Sequence, residues 1–549
     1  MKAANGKPES NLPMKTEINT EQIQESEPLR IDGESLTIQD IVAVARNGRK
    51  VALSEIARRR METSLAWVEE MVSSQEPVYG INTGFGIFAD RRISPSDSTA
   101  LNRNLILSHS VATGPALPIE VVRAAMLIRA NTLAGGHSGV RPLIVETLLE
   151  MLNRDVVPVV PSQGSLGSSG DLAPLSHLAL VFTTDDLDRE EDSGWAYCGN
   201  AQSEFISGLA AMRAAGIDRI ILGPKEGLAL SNGATFSTAI TTLAVWDAAH
   251  LLDVGAIALA MSLEALLGVS TAFDDRLQQV RHHPGQIEVA AKVRELTQGS
   301  TLLNAAGRIQ DAYSLRCAPQ VQGAARDATR YVYDVISREI NAATDNPLLF
   351  SPGIALSGGN FHGEPVGMAA DFLSIATSEL AAISERRIFR LTDGRLNAGL
   401  PPMLVNDFKA AGLNSGLMMA QYTAASLVLE NHTLASPDSV RSLPTSAEQE
   451  DHNANSMTAA RHARQIVENT AHVLAIEIFC ATRALDMRLR QTPQAKMGIG
   501  VAAAHDKVRQ FIPYRPGDAW WGPELEEVHR AVLKELPAAV SLALQAIDG

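Results

Sequence analysis

The stretch with the most chemical promise is Gly164-Ser165-Leu166-Gly167-Ser168-Ser169-Gly170-Asp171-Leu172-Ala173-Pro174-Leu175. Glycines at every third position let the backbone enter the left-handed region and approach other groups closely. An acid and an apolar run follow, as at a helix start. A phosphate loop is a poor match, because no Gly-Lys-Ser/Thr ending is present. A nucleophile elbow fails by one residue, since Ser169 abuts Gly170. Two readings stay open: a structural turn, or a place where the backbone itself reacts. In a tight bend the Gly170 amide nitrogen can attack the Ser168 carbonyl carbon. Loss of water closes a five-membered ring, and a second loss from the Ser169 side chain leaves an exocyclic methylidene. The product is an electrophile that no ordinary side chain offers.

Other polar stretches punctuate an otherwise apolar chain. Tyr79-Gly80-Ile81-Asn82-Thr83-Gly84 reads as a loop presenting one tyrosine. His109 closes a short helical pattern, where a lone histidine is more often a hydrogen-bonded core residue. Asn232-Gly233 ends a second glycine-marked turn. In Gln310-Asp311-Ala312-Tyr313-Ser314-Leu315-Arg316 a helix would put Gln310, Tyr313 and Arg316 on one face. Arg316 could then grip a carboxylate bidentately, or simply pair with an aspartate. Phe361 lies in a Gly-Asn-Phe-His-Gly turn. Glu450 belongs to a polar cluster, 446–452, whose acids could also be partners of a helix N-terminus. His282-His283 has no further ligands beside it, and no metal is expected.

The elements that must position these groups are helical. The segments 236–267, 363–392 and 453–490 carry apolar residues on nearly every face, with 415–435 between the last two. Strand signals are weak and short. We expect a mostly α fold with a central bundle of long helices. A helical pattern is also expected from Leu36 to Val72. The predicted organisation is a disordered extension (1–28), a region carrying both loops (29–235), the bundle (236–490) and peripheral helices (491–549).

Composition narrows the class. The 549 residues carry a formal charge of -15 without a basic cluster, which argues against nucleic acid and anionic membranes as partners. Three scattered cysteines fit a reducing compartment. The apolar stretch near 256–269 is cut by Glu264, so no membrane-spanning run is expected. Asp185 to Ser193 is acidic and reads as an exposed insertion. A cytoplasmic location is expected.

At Ser168-Ser169-Gly170-Asp171-Leu172-Ala173-Pro174-Leu175 the chain resembles the aromatic amino acid ammonia-lyase and aminomutase family, with Ser168 where alanine is usual. The remaining motifs resemble it in the same order, from about Leu29 to Arg488. The resemblance implies an all-helical fold and a 4-methylideneimidazole-5-one group made from Ser168, Ser169 and Gly170, without metal or diffusible cofactor. It implies a homotetramer with sites shared between chains. It makes Tyr79 the base, Asn232 and Tyr313 holders of ring and amino group, and Gln310 a ring-side partner. Arg316 becomes the carboxylate clamp, and Phe361 packs near the ring. Leu107-Ser108-His109 and Gln449-Glu450-Asp451-His452 are most similar to members acting on histidine, which implies a pocket of His109 and Glu450 for an imidazole. Glu448, Asn453-Ala454-Asn455-Ser456 and Ala234-Thr235 depart from that branch. Tyrosine or phenylalanine lyases, a tyrosine 2,3-aminomutase and a catalytically silent helical scaffold are the alternatives.

Overall fold

A computed structural model describes residues 27–548 apart from 75, 89 and 200–203. The expected N-terminal extension therefore lies outside the described residues, save for Glu27 and Pro28. The chain is mostly helical, and its strands are two to four residues long.

Three long helices form the centre: Thr235–Ala265, Glu364–Thr392 and Ser456–Gln491. Each packs against the other two, and Ala318–Glu339 and Met418–Leu434 flank them. Small residues recur along these helices and apolar side chains cover nearly the whole circumference of the first, so it is buried on all sides. The sequence expectation for these segments is met to within a few residues. One buried polar cluster ties the three together. Glu477 pairs with Arg387 (Nη2 to Oε2, 2.8 Å) and accepts the hydroxyls of Ser262 and Ser384, both at 2.6 Å. Both members of the ion pair are fully buried. Removing one partner of such a pair leaves an uncompensated charge, at a cost of about 3–5 kcal/mol.

Two expectations need correction. The periodic stretch 36–72 is not one helix. Ile38–Asn47, opened by a Thr37–Asp40 capping box, stops where Gly48 takes φ +69°. Val51–Leu53 then pairs in parallel with Leu29–Ile31, and Glu55–Ser73 begins afresh behind the cap Ser54. The second concerns membrane-spanning length. Thr235–Ala265 and Glu364–Thr392 are long and apolar enough to cross a bilayer, but their apolar windows are 78% and 72% buried within the chain. Glu264 did not shorten the first, because its carboxylate turns inward and accepts the Gly498 N–H (2.9 Å). Nor is the acidic stretch 185–193 wholly exposed: the Asp188 carboxylate is buried between Arg103 and Arg219. The helices Ile499–Phe511, Gly522–Lys534 and Leu536–Asp548 form the C-terminal layer.

Candidate active site

The reactive-looking loop follows strand Pro161–Gln163 and ends at helix Leu172–Phe182. Gly170 has φ +77°, and a Cβ there would lie 2.0 Å from the Gly233 carbonyl carbon. Only glycine fits. The close approach lets two loops clasp. Ser169 O accepts the Gly233 N–H (3.0 Å), and Gly233 O accepts the Asp171 N–H (2.8 Å). With the Asn232 amide oriented so that both its nitrogen and its oxygen find partners, it donates to the same Ser169 oxygen at 2.9 Å and accepts the Asn346 N–H at 2.9 Å. Ser168 Oγ is buried and has no hydrogen-bond partner among the described residues.

The starts of the long helices converge on this loop. Leu166 O accepts the Asn455 N–H (2.7 Å) and Gly167 O the Gly363 N–H (3.0 Å), one residue ahead of Ser456–Gln491 and Glu364–Thr392 respectively. Asp171 does not cap its own helix, contrary to the expectation from sequence. Its buried carboxylate instead accepts Ser237 N–H (2.8 Å), in the first turn of Thr235–Ala265, and the hydroxyls of Ser237 (2.9 Å) and Ser165 (2.7 Å). Burial pushes this carboxyl upward in pKa, and those donors hold it back. Positive helix ends thus surround the segment 166–171.

Behind Asn232 stands a buried charge cluster. Lys225 pairs with Asp345, both fully buried. Arg129 donates to Thr235 Oγ1 (2.5 Å) and Ala229 O (3.2 Å). Burial lowers Arg129 to about 10, against the pull of Asp345 and Asp171. Spacing offered no hint of this cluster, since Lys225 and Asp345 are 120 residues apart.

A cavity of about 1360 Å³ opens over the loop. Tyr79, His109, Ser168, Ser169, Asn232, Phe361 and Glu450 all line it. The Tyr79 hydroxyl accepts the Gly86 N–H at 3.4 Å. Glu450 sits on a turn closed by Thr445 N–H to Glu450 O (2.8 Å), with Ser446, Ala447 and Glu448 at φ +54°, +53° and +66°. Its Oε1 accepts the Ser169 hydroxyl at 2.8 Å, so it serves the loop and not a helix end. His109 ends the Ser98–His109 helix, with Nδ1 3.0 Å from Ser108 Oγ. Burial depresses its pKa, opposed by the Leu105 carbonyl and by the negative charge of Glu450.

Gln310, Tyr313 and Arg316 do not line the cavity within one chain. The helix here is a single turn, Tyr313–Arg316, so Gln310 precedes it in irregular chain and the expected shared face does not form. The reason is Asp311, whose carboxylate accepts Val269 N–H (2.6 Å) and pairs with Arg308 (2.8 Å). An Arg–Asp pair exists, but not with Arg316. The Arg316 guanidinium lies 4.6 Å over the Tyr313 ring, and Tyr313 is 69% exposed.

The aromatic amino acid lyase family model matches residues 36–510. The histidine ammonia-lyase of Caldanaerobacter subterraneus subsp. tengcongensis is 54% identical over 461 residues, 83% of this chain and 88% of the relative. The crystal structure of histidine ammonia-lyase from Trypanosoma cruzi superposes with a TM-score of 0.85 at 36% identity, covering 94% of this chain and 96% of that one. Tyrosine aminomutase from Streptomyces globisporus gives 0.87 at 33%, covering 94% and 99%. With its helical bundle, its clasped Ser-Ser-Gly loop and these relatives, the chain belongs to the aromatic amino acid lyase family.

Proposed function

We propose that this protein is a carbon–nitrogen lyase that eliminates ammonia from L-histidine and releases urocanate. The observation carrying this reading is the placement of His109 and Glu450 on the wall of the cavity that also holds Ser169. Histidine ammonia-lyases among its relatives support it.

The loop residues fit a 4-methylideneimidazole-5-one group. Gly170 occupies a position closed to any side chain, Ser169 O is held by two N–H donors, and the unpartnered Ser168 hydroxyl is not needed for ring closure. The group supplies an electrophilic carbon when formed. Asn232 and the Gly233 N–H polarise the Ser169 carbonyl, and the converging helix starts add positive potential. Asp171 positions the loop through Ser165 and Ser237.

Dehydration of Ser169 removes the hydroxyl that Glu450 binds. The freed carboxylate oxygen then needs a donor, and an imidazole N–H provides one. His109 meets the other side of that ring. A phenyl side chain would leave Oε1 without a donor, with Thr445 Oγ1 serving only Oε2 (3.3 Å), at a cost of about 1–3 kcal/mol. Tyr79 takes the β-proton, and Phe361 packs beside the reacting groups. The carboxylate clamp Arg316, with Tyr313 and Gln310, lies outside the cavity of its own chain. We therefore propose that neighbouring chains of a homotetramer supply these three, which explains the exposure of Tyr313. A cytoplasmic location completes the proposal, supported by burial of both long apolar helices.

A second reading, a tyrosine lyase or 2,3-aminomutase, is favoured by the Ser108–His109 contact, which leaves Nε2 to meet a phenol. Supplying histidine, tyrosine and phenylalanine and identifying the acid released decides between them. Urocanate is expected. Coumarate or cinnamate as the main product would overturn the pocket argument, and a β-amino acid would indicate a mutase. The intact mass should be two waters short at 168–170; a folded, assembled enzyme at full mass would contradict the prosthetic group.

A further inference from the structure

Away from the cavity, two helices bring three metal-binding side chains together. His472 stands on Ser456–Gln491. Glu526 and His529 stand three residues apart on Gly522–Lys534, which packs against it. One ligand atom from each lies within 4.8 Å of the other two. The imidazoles are parallel, 3.9 Å between centroids and 9° between planes. His529 Nδ1 is shielded from solvent, 3.8 Å from Glu526 Oε1, and has no hydrogen-bond partner among the described residues. No metal-ligand spacing is visible along the chain because one ligand comes from the central bundle and two from the C-terminal layer.

We propose that His472, Glu526 and His529 bind one divalent transition-metal cation of the zinc class. Two imidazoles and one carboxylate suit zinc, cobalt or nickel, whereas magnesium and calcium want oxygen ligands. Zn–N and Zn–O bonds near 2.0–2.2 Å place tetrahedral ligand atoms about 3.3 Å apart. Binding requires the two stacked rings to turn apart so that their in-plane nitrogen lone pairs converge on the ion, a rotation about side-chain bonds on fixed helices, with water as the fourth ligand. No substrate group reaches this site, since none of the three lines the cavity. The cation would pin the C-terminal layer to the longest helix. It binds the folded chain only, so it raises the melting temperature as its concentration rises.

The test uses the full-length, assembled enzyme treated with a chelator and titrated with Co²⁺, then Zn²⁺. One Co²⁺ per chain is expected, with visible absorption of a tetrahedral site that Zn²⁺ displaces and Mg²⁺ does not. His529→Gln and His472→Ala should abolish uptake while circular dichroism stays unchanged. Glu526→Gln, at an exposed position, should weaken it by at least about tenfold, the scale of loss seen even for outer-sphere partners. His282→Ala should bind as the unaltered chain does. Absence of saturable uptake, uptake that survives His529→Gln, or displacement by Mg²⁺ would each overturn the proposal.

Discussion

Two stretches marked for chemistry by their residue types fare differently in the folded chain. The loop 164–171 is gripped from every side: Ser169 O by two donors, Asp171 by Ser165 and Ser237, and Gly170 by the backbone of Gly233. The segment 310–316 holds a single helical turn, Tyr313–Arg316, with Tyr313 exposed and the Arg316 guanidinium over its ring. Under the proposed mechanism one chain supplies the electrophile, the base and the side-chain pocket, whereas Gln310, Tyr313 and Arg316 lie outside its cavity. Elements that must hold strain and make their own group are best fixed by the chain's own core. Elements that only bind can come from a neighbour.

The sharpest break removes the first of these. Ser169→Ala keeps the backbone carbonyl that Asn232 and Gly233 hold, and the mature group has already given up the hydroxyl, so the loop should fold with little change in stability. Turnover should drop to background and the two-water mass deficit should vanish. Normal turnover in this variant would show that the loop is only a turn.

Next comes the other stretch. Arg316→Ala should lower kcat/KM by roughly 30- to 4000-fold, the about 2–5 kcal/mol carried by a buried charge pair. Arg316→Lys should recover little, because an ammonium lacks the planar fork. Co-expressing Ser169→Ala with Arg316→Ala should raise turnover above that of either variant alone, since some sites then combine an intact loop with an intact arginine. Failure to complement in a mixed assembly would place both groups in one chain and erase the contrast.

What the sequence made legible follows the same division. The long helices could be placed because apolar residues on every face leave no other solution for such segments. The short strands could not, because three-residue pairs such as Leu29–Ile31 with Val51–Leu53 depend on a distant partner and not on local pattern. The cavity residues Tyr79, His109, Asn232, Phe361 and Glu450 were visible as polar or aromatic groups in glycine-marked turns or at helix ends. Asp171 was visible, but its partner was not: the helix it caps begins over sixty residues later. The Arg129, Lys225 and Asp345 cluster was hidden for the same reason. For Gln310, helical spacing misled because Asp311 is committed to Val269 and Arg308, which delays the helix to Tyr313.

A third prediction probes the pocket on the loop's side of the comparison. Glu450→Gln keeps the size and one acceptor but removes the charge. The kcat/KM for histidine should fall roughly 5- to 150-fold, the about 1–3 kcal/mol of a charge-assisted bond. Selectivity against tyrosine and phenylalanine should narrow in the same variant. Unchanged selectivity would detach Glu450 from the imidazole and leave it a loop partner alone.

The smallest effect lies in the pH profile, and it tests whether His109 and Glu450 act on one space. Burial lowers the His109 pKa below the ordinary histidine value of about 6.5. The ring is therefore neutral around pH 7 and gains its proton only at more acidic pH. If neutral His109 meets the substrate ring, kcat/KM should hold through pH 6.5 and decline below it, and His109→Gln should lose that decline. Glu450 opposes the shift, since its charge favours the imidazolium. Removing that charge in Glu450→Gln should carry the acid limb to still lower pH. The opposite movement, or none, would mean that the two groups do not share a pocket, and that the imidazole is read by one of them alone.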